Sequence, residues 1–239
     1  MRTQHTNKAN RQHIRLKIWP FMPEPNKSAG YSEDIESVHS EIGRCRRCEA
    51  DHLTIIKPEA MRRGIATSAV MAVGIAPGQS AINAKKAFAG NSLSRLLGWF
   101  DSAGYPLTEE QFRERVYLTS LNKCATDPDS KANRKQLWRR CAPFLWHQIA
   151  LIKPRLIIVL GKEPAEILLR QEGGEWNAVL GSRLTTGQLF RNDLFPPIVI
   201  ETEWLFMPHP SGLSRTMNDP EVSAMLTNSL RAALGKIDF

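Results

Sequence analysis

Four short apolar runs, each closed by a polar or glycine-rich turn and separated by helix-like stretches, constrain this 239-residue chain more than any other feature. They are AVMAVG (69–74), VYLTSL (116–121), RLIIVLG (155–161) and WLFMPH (204–209). Runs this short and continuous read as strands buried on both faces, which a sheet covered by helices provides. Strands alternating with helices imply parallel pairing through crossovers. The expected fold is α/β: a three-layer αβα sandwich around a central, mostly parallel four-stranded sheet.

The stretches between the runs carry helical periodicity. In SEDIESVHSEIGRC, Ile35, Val38 and Ile42 recur at helical spacing behind the cap-like Ser32. SLSRLLGWFDSAG places Leu93, Leu96, Leu97 and Phe100 on one face, with Ser92 as a cap and Gly104 as a stop. RKQLWRRCAPFLWHQIALI is expected to break or restart near Pro143. The last helix begins at Asp219-Pro220 and turns Val222, Leu226, Leu230 and Leu234 inward.

Ordinary proportions of hydrophobic (42%) and charged (23%) residues exclude a wholly disordered or collagen-like chain. The apolar runs are too short to span a membrane, and the opening MRTQHTNKANRQHIRLK lacks the apolar stretch of a secretory signal. A cytoplasmic location is expected, nucleoid-associated if the source is bacterial. Net charge is +8, and the first 27 residues hold six Lys and Arg against Glu24 alone, so five units of the surplus sit there. Residues 1–29 read as a basic, flexible arm and 30–239 as a single domain. Excess positive charge of this kind commonly serves phosphate-bearing partners.

Ligands of such sheets bind beyond the carboxyl ends of the strands. That rule selects three turns: GIAPGQS after the first run, NKCATDPDS after the second and HPSGLSR after the last. Cys45, Cys48, Cys124 and Cys141 are too few for a disulfide framework in a reducing compartment, which leaves metal binding or burial as small apolar residues.

The Gly-x-x-Pro-Gly turn and the His-Pro-Ser turn, in this order and about 130 residues apart, make the chain resemble the uracil-DNA glycosylase superfamily. The resemblance runs from about Ser32 to the C-terminus and is closest to the iron-sulfur branch, family 4, with features of family 5. It implies a DNA repair hydrolase of N-glycosyl bonds that acts as a monomer on uracil flipped out of DNA. All four cysteines match that branch, and the resemblance implies that they hold a 4Fe-4S cluster of structural role. Spacing alone leaves a tetrahedral zinc open. Arg46, Arg47, Lys123, Arg134, Arg139 and Arg140 around them would make the region basic, suited to phosphates or simply solvated.

The same resemblance assigns roles at the rim. His209 would donate to the base carbonyl where negative charge gathers, or else serve only to shape the turn. Phe88 would stack on the extruded base, with core burial as the competing reading. Gly78 and Gln79 would complete the base pocket, and Gly74, Gly78 and Gly90 would allow backbone to approach DNA. Leu213 would wedge into the gap left by the base, while Ser211, Gly212 and Arg215 would hold adjacent phosphates.

Two positions depart from the pattern. Family 4 carries a carboxylate where this chain has Ile75, so the usual water-positioning acid is missing. Asn91 stands at the family 5 position and can orient water through its amide, or cap the following helix. Ser120 stands where relatives read uracil with an asparagine, so recognition passes to Ser120 or to Asn122 two residues on. Other deaminated bases, hypoxanthine or xanthine, then come within range. A catalytically weak or inactive binder of abasic or damaged DNA is the alternative. A zinc-stabilised nucleotide hydrolase is a third.

Overall fold

Val70, Ala72, Val116, Leu118, Ile158 and Leu205 belong to one buried cluster, while Met71, Val73, Tyr117, Ile157, Val159 and Trp204 belong to another. Successive residues of a strand point to opposite faces, so the alternation itself builds one sheet with a covering layer on each side. The structure, a computed structural model, describes residues 34–48, 55–56, 64–126, 131–169, 176–189, 201–212, 214–237 and 239. The basic arm and Ser32 lie outside them.

In chain order the elements are α1 (Ile35–Arg44), β1 (Ile55–Ile56), β2 (Val70–Gly74), α2 (Gln79–Ala84), α3 (Asn91–Ser102), α4 (Glu109–Arg115), β3 (Val116–Ser120) and β4 (Ala125–Thr126). They continue with α5 (Lys131–Ile152), β5 (Leu156–Leu160), α6 (Lys162–Leu169), α7 (Trp176–Val179), β6 (Arg183–Thr185), α8 (Thr186–Leu189), β7 (Glu203–Met207) and α9 (Pro220–Leu234). The sheet order is β3-β2-β5-β7-β6. The four expected strands pair in parallel, and β6 joins β7 antiparallel.

The sheet therefore has five strands where the sequence led us to expect four. Arg183–Thr185 is only three residues long and partly exposed, so it carries no apolar run to read. Pairing with β7 and the Arg183–Glu203 ion pair (2.8 Å) hold it at the edge. A separate ribbon pairs β1 with β4, which ties the chain after Cys48 to the chain after Cys124.

Helices α1, α5 and α6 cover one face, and α3, α4 and α9 the other. Asp34 caps α1, its carboxylate accepting from Ser37 N at 2.8 Å. Asp219 caps α9 by accepting from Glu221 N and Val222 N. Helix α5 runs unbroken through Pro143, contrary to expectation. A proline inside a helix costs about 3 kcal/mol; burial of Leu137, Phe144, Leu145 and Ile149 on the same helix offsets it. Helix α3 is capped by Gly90 (φ 59°), not by Ser92, and begins at Asn91.

Candidate active site and cysteine cavity

The carboxyl ends of β2, β3 and β7 open on one rim, and the turns beyond them enclose a cavity of about 430 Å³. That is within the usual range for small-molecule sites. Gly78, Gln79, Phe88, Asn91, Ser120, His209, Ser211 and Gly212 all line it. Among the described residues no Asp or Glu does.

Phe88 is held in a conformation that most side chains avoid, with φ at 50°. The restraint comes from Arg113, which is 3% exposed. Its Nη1 donates to the Ala87 carbonyl (2.8 Å), its Nη2 to the Phe88 carbonyl (2.7 Å) and its Nε to Glu109 Oε1 (2.8 Å). The ring lies over Gly74, where an added Cβ would stand 3.0 Å from Phe88 Cζ. Gly74 is buried: it makes room for the aromatic ring, and the expectation that it lets backbone approach DNA is corrected.

Asn91 is exposed at the first turn of α3, and its amide does not cap the helix. Gln79 donates through Nε2 to Asn83 Oδ1 at 2.8 Å. His209 is partly buried, and that burial pushes its pKa below the ordinary histidine value, so the imidazole is neutral at pH 7. Behind it stands Gly161 (φ 114°), whose added Cβ would meet His209 Cβ at 3.3 Å.

Ser120 and Asn122 separate. Strand pairing extends past β3 through Leu121 N to Gly74 O (2.9 Å) and Asn122 N to Ile75 O (2.8 Å). There the chain folds back, and Ser120 Oγ donates to the Asn122 carbonyl at 2.7 Å. Asn122 is wholly buried and does not line the cavity, whereas Ser120 and its neighbour Thr119 do. Ile75 packs against the core cluster and is not on the cavity wall. Arg215 is exposed beside the rim turn, and Leu213 lies outside the described residues.

Cys45, Cys48, Cys124 and Cys141 face a second, much smaller cavity of about 10 Å³. Desolvation and mutual repulsion push the Cys48 and Cys124 thiols up, that of Cys124 to about 12. Burial also raises Cys141, against a backbone donor, Lys123 N, 3.5 Å from its Sγ. The four side chains thus share the lining of one cavity. Still, among the described residues no three His, Cys, Asp or Glu side chains stand close enough to hold one metal ion.

The basic ring needs revision as well. Arg46 donates to the Cys45 carbonyl (2.9 Å), Arg140 donates to the Arg47 carbonyl, and Arg47 lies 5.2 Å over the Phe144 ring. Much of this charge thus braces the cysteine segment. Lys123 is 2% exposed with its ammonium turned inward, and the Arg134 side chain lies outside the described residues.

Sequence reasoning missed Thr119, Arg113 and Gly161. Thr119 and Arg113 act from inside β3 and α4, and Gly161 from the turn between β5 and α6, on neighbours distant in sequence, so no local signal marks them.

A sheet covered on both sides, with an aromatic ring, an amide and an imidazole lining one cavity at the carboxyl ends of its strands, presents a site of the size that small ligands occupy. Comparison with known proteins narrows the class. Residues 62–231 match the family described as the Uracil DNA glycosylase superfamily, and the chain belongs to it. Enzymes of this family hydrolyse N-glycosyl bonds.

Three similar proteins are type-4 uracil-DNA glycosylases. That of Pyrobaculum aerophilum is 31% identical over 145 residues, covering 59% of this chain and 67% of that protein. That of Saccharolobus solfataricus is 27% identical, covering 58% and 61%, and that of Sulfurisphaera tokodaii is 24% identical, covering 62% and 63%. The chain thus spans a little under two thirds of the latter two proteins. Among the described residues no helix is long and apolar enough to cross a membrane.

Proposed function

We propose that this protein hydrolyses the N-glycosyl bond between uracil and deoxyribose in DNA, after the nucleotide has flipped out of the stack. The observation that carries this reading is the convergence of His209, Phe88 and Asn91 on one cavity lacking an acid. As the C1′–N1 bond breaks, its electron pair leaves with the base and the sugar becomes an oxocarbenium-like cation. His209, neutral because buried, donates an N–H to the base carbonyl on which that charge spreads. Phe88 stacks on the base, and Ser120 bonds its edge.

Asn91 accepts a hydrogen bond from water and aims the oxygen at C1′. An oxocarbenium ion is reactive enough to take water without a strong base, so an amide suffices. The water's proton ends on the departed base, which closes the balance as free base plus an abasic sugar. Gly78 and Gln79 border the pocket, Leu213 wedges into the gap left by the base, and Ser211, Gly212 and Arg215 hold the flanking backbone.

Cys45, Cys48, Cys124 and Cys141 would hold a 4Fe-4S cluster. The donor set fits, being four sulfurs and no oxygen. Thiolates suit soft metals, and four of them would supply one ligand to each iron of such a cluster. Such a group would brace α1, α5 and the loop after β3; the mechanism routes no step through it.

The position of Ile75 in the core favours a second reading, a binder of damaged DNA that cuts no bond. Time-resolved base release from oligonucleotides carrying uracil, hypoxanthine or xanthine separates the two. Release of uracil supports the enzyme; tight binding with no release supports the binder.

A further inference from the structure

The cavity wall at the end of β3 has a hydrogen-bonding polarity that the mechanism above leaves unused. Ser120 pairs in register with Gly74, and register partners send their side chains to the same face of a sheet. That is the face on which the Phe88 ring covers Gly74. Ser120 is partly exposed and lines the base cavity. Thr119, one residue back, points to the opposite face, where its hydroxyl donates to Oε1 of the wholly buried Gln148 at 2.9 Å. Ser120 is therefore the polar side chain that β3 turns toward a base stacked on Phe88.

A serine hydroxyl carries one proton and two lone pairs. Here the proton is committed, because Oγ donates to the Asn122 carbonyl at 2.7 Å in the turn where the chain folds back. Asn122 is wholly buried, so its carbonyl cannot exchange that donor for bulk water. Toward the cavity Ser120 can only accept. The role of His209 in the same cavity is the reverse, an N–H donor to a base carbonyl. A donor and an acceptor facing one cavity match a carbonyl next to a ring N–H, the lactam edge that uracil and hypoxanthine share. Cytosine and adenine present the inverse, an amino group next to a bare ring nitrogen, which sets lone pair against lone pair at Ser120.

Size does not confine the site to the smaller base. The cavity of about 430 Å³ suits ligands larger than a single pyrimidine. Ala76, Gly78, Ala81, Ala87 and Gly90 make much of its lining small, and a Cβ added at Gly78 would meet nothing within 4 Å.

We propose that Ser120 is a specificity-determining residue of the base cavity, an acceptor-only hydroxyl that together with His209 selects lactam bases of one or two rings, uracil and hypoxanthine, over their amino parents. The proposal rests on the glycosylase reading and names the class of base that the site takes. Deamination turns an amino group beside a bare ring nitrogen into a lactam, so the site reads the one chemical change that marks the damaged base.

The test measures equilibrium binding of single-stranded oligonucleotides, in which no base pair has to be broken. Each carries one 2′-fluoroarabino nucleotide, whose electron-withdrawing fluorine disfavours the cationic sugar and so keeps the base attached. Uracil is compared with cytosine, and hypoxanthine with adenine, on wild type, Ser120→Ala and Ser120→Cys. Wild type should prefer the lactam in each pair by about tenfold or more. Ser120→Ala should reduce both ratios by about tenfold, which is about 1.4 kcal/mol. Ser120→Cys keeps the shape with a weak acceptor, and it should shift both ratios the same way if Ser120→Ala fails to fold.

A wild-type ratio near one in either pair overturns the proposal. So does a variant that weakens all four bases alike, the result a merely structural role would give. Wild type that releases no uracil from an unmodified oligonucleotide rejects the glycosylase reading instead, and the two binding ratios then judge Ser120 alone.

Discussion

At the residue scale the site turns on the protonation state of one imidazole. His209 is held below the ordinary histidine value of 6.5 by burial. The donor form thus persists below pH 6.5, and the acid limb of single-turnover release should lie under that value. Stability follows the same sign: below pH 6.5 the unfolded chain takes up a proton that the folded one refuses, so the stability present above 6.5 is lost as pH falls toward the folded value. A limb centred at or above 6.5 would contradict the burial argument. Asn91→Ala truncates an exposed side chain that makes no helix-capping hydrogen bond. It should cut release by about 100-fold or more and leave the melting temperature unchanged.

At the scale of elements, the segment between α2 and α3 matters most, because Phe88 is presented by a backbone that would not hold itself. Arg113→Ala leaves the Ala87 and Phe88 carbonyls without their donor, and an unsatisfied buried polar group costs about 1 to 3 kcal/mol. The expected result is a lower melting point together with a raised KM for base-containing DNA. Gly74→Ala should raise KM through displacement of the ring, at a stability cost of about 1 to 3 kcal/mol for overpacking. An unchanged KM in both variants would mean that Phe88 does not hold the base.

The same elements mark how far the sequence could be read. The four parallel strands were legible because each is apolar on both faces. The short edge strand β6 was not, since three half-exposed residues carry no period. His209 was legible as a turn residue at a strand end, whereas Phe88 and Asn91 were singled out through the family resemblance alone. Lys123 read as part of a basic ring because its burial is decided by packing against Gln148 of α5, 25 residues away, and Arg113 drew no reading because its partners Ala87 and Phe88 are as distant in sequence. Asn122 looked available because nothing local announces that the chain folds back after Ser120.

At the scale of the molecule, the proposed function gives the two cavities separate work, chemistry in one and bracing in the other. Two cysteines from the segment after α1, one from the loop after β3 and one from α5 converge on one of them. Cys124→Ser should therefore abolish the brown colour and iron content of protein purified without oxygen, and lower the melting temperature by about 5 °C or more. Uracil release at a permissive temperature should survive, because no step runs through the cluster. Colourless wild type of full stability would refute the cluster assignment.

The most direct measurement of the central claim is single-turnover release of uracil from a uracil-containing oligonucleotide by wild type and by His209→Ala. The account predicts free uracil and an abasic strand from wild type, with release about 100-fold to 1,000-fold slower in the variant. Release at the same rate from both proteins, or none from wild type bound to the DNA, would contradict it.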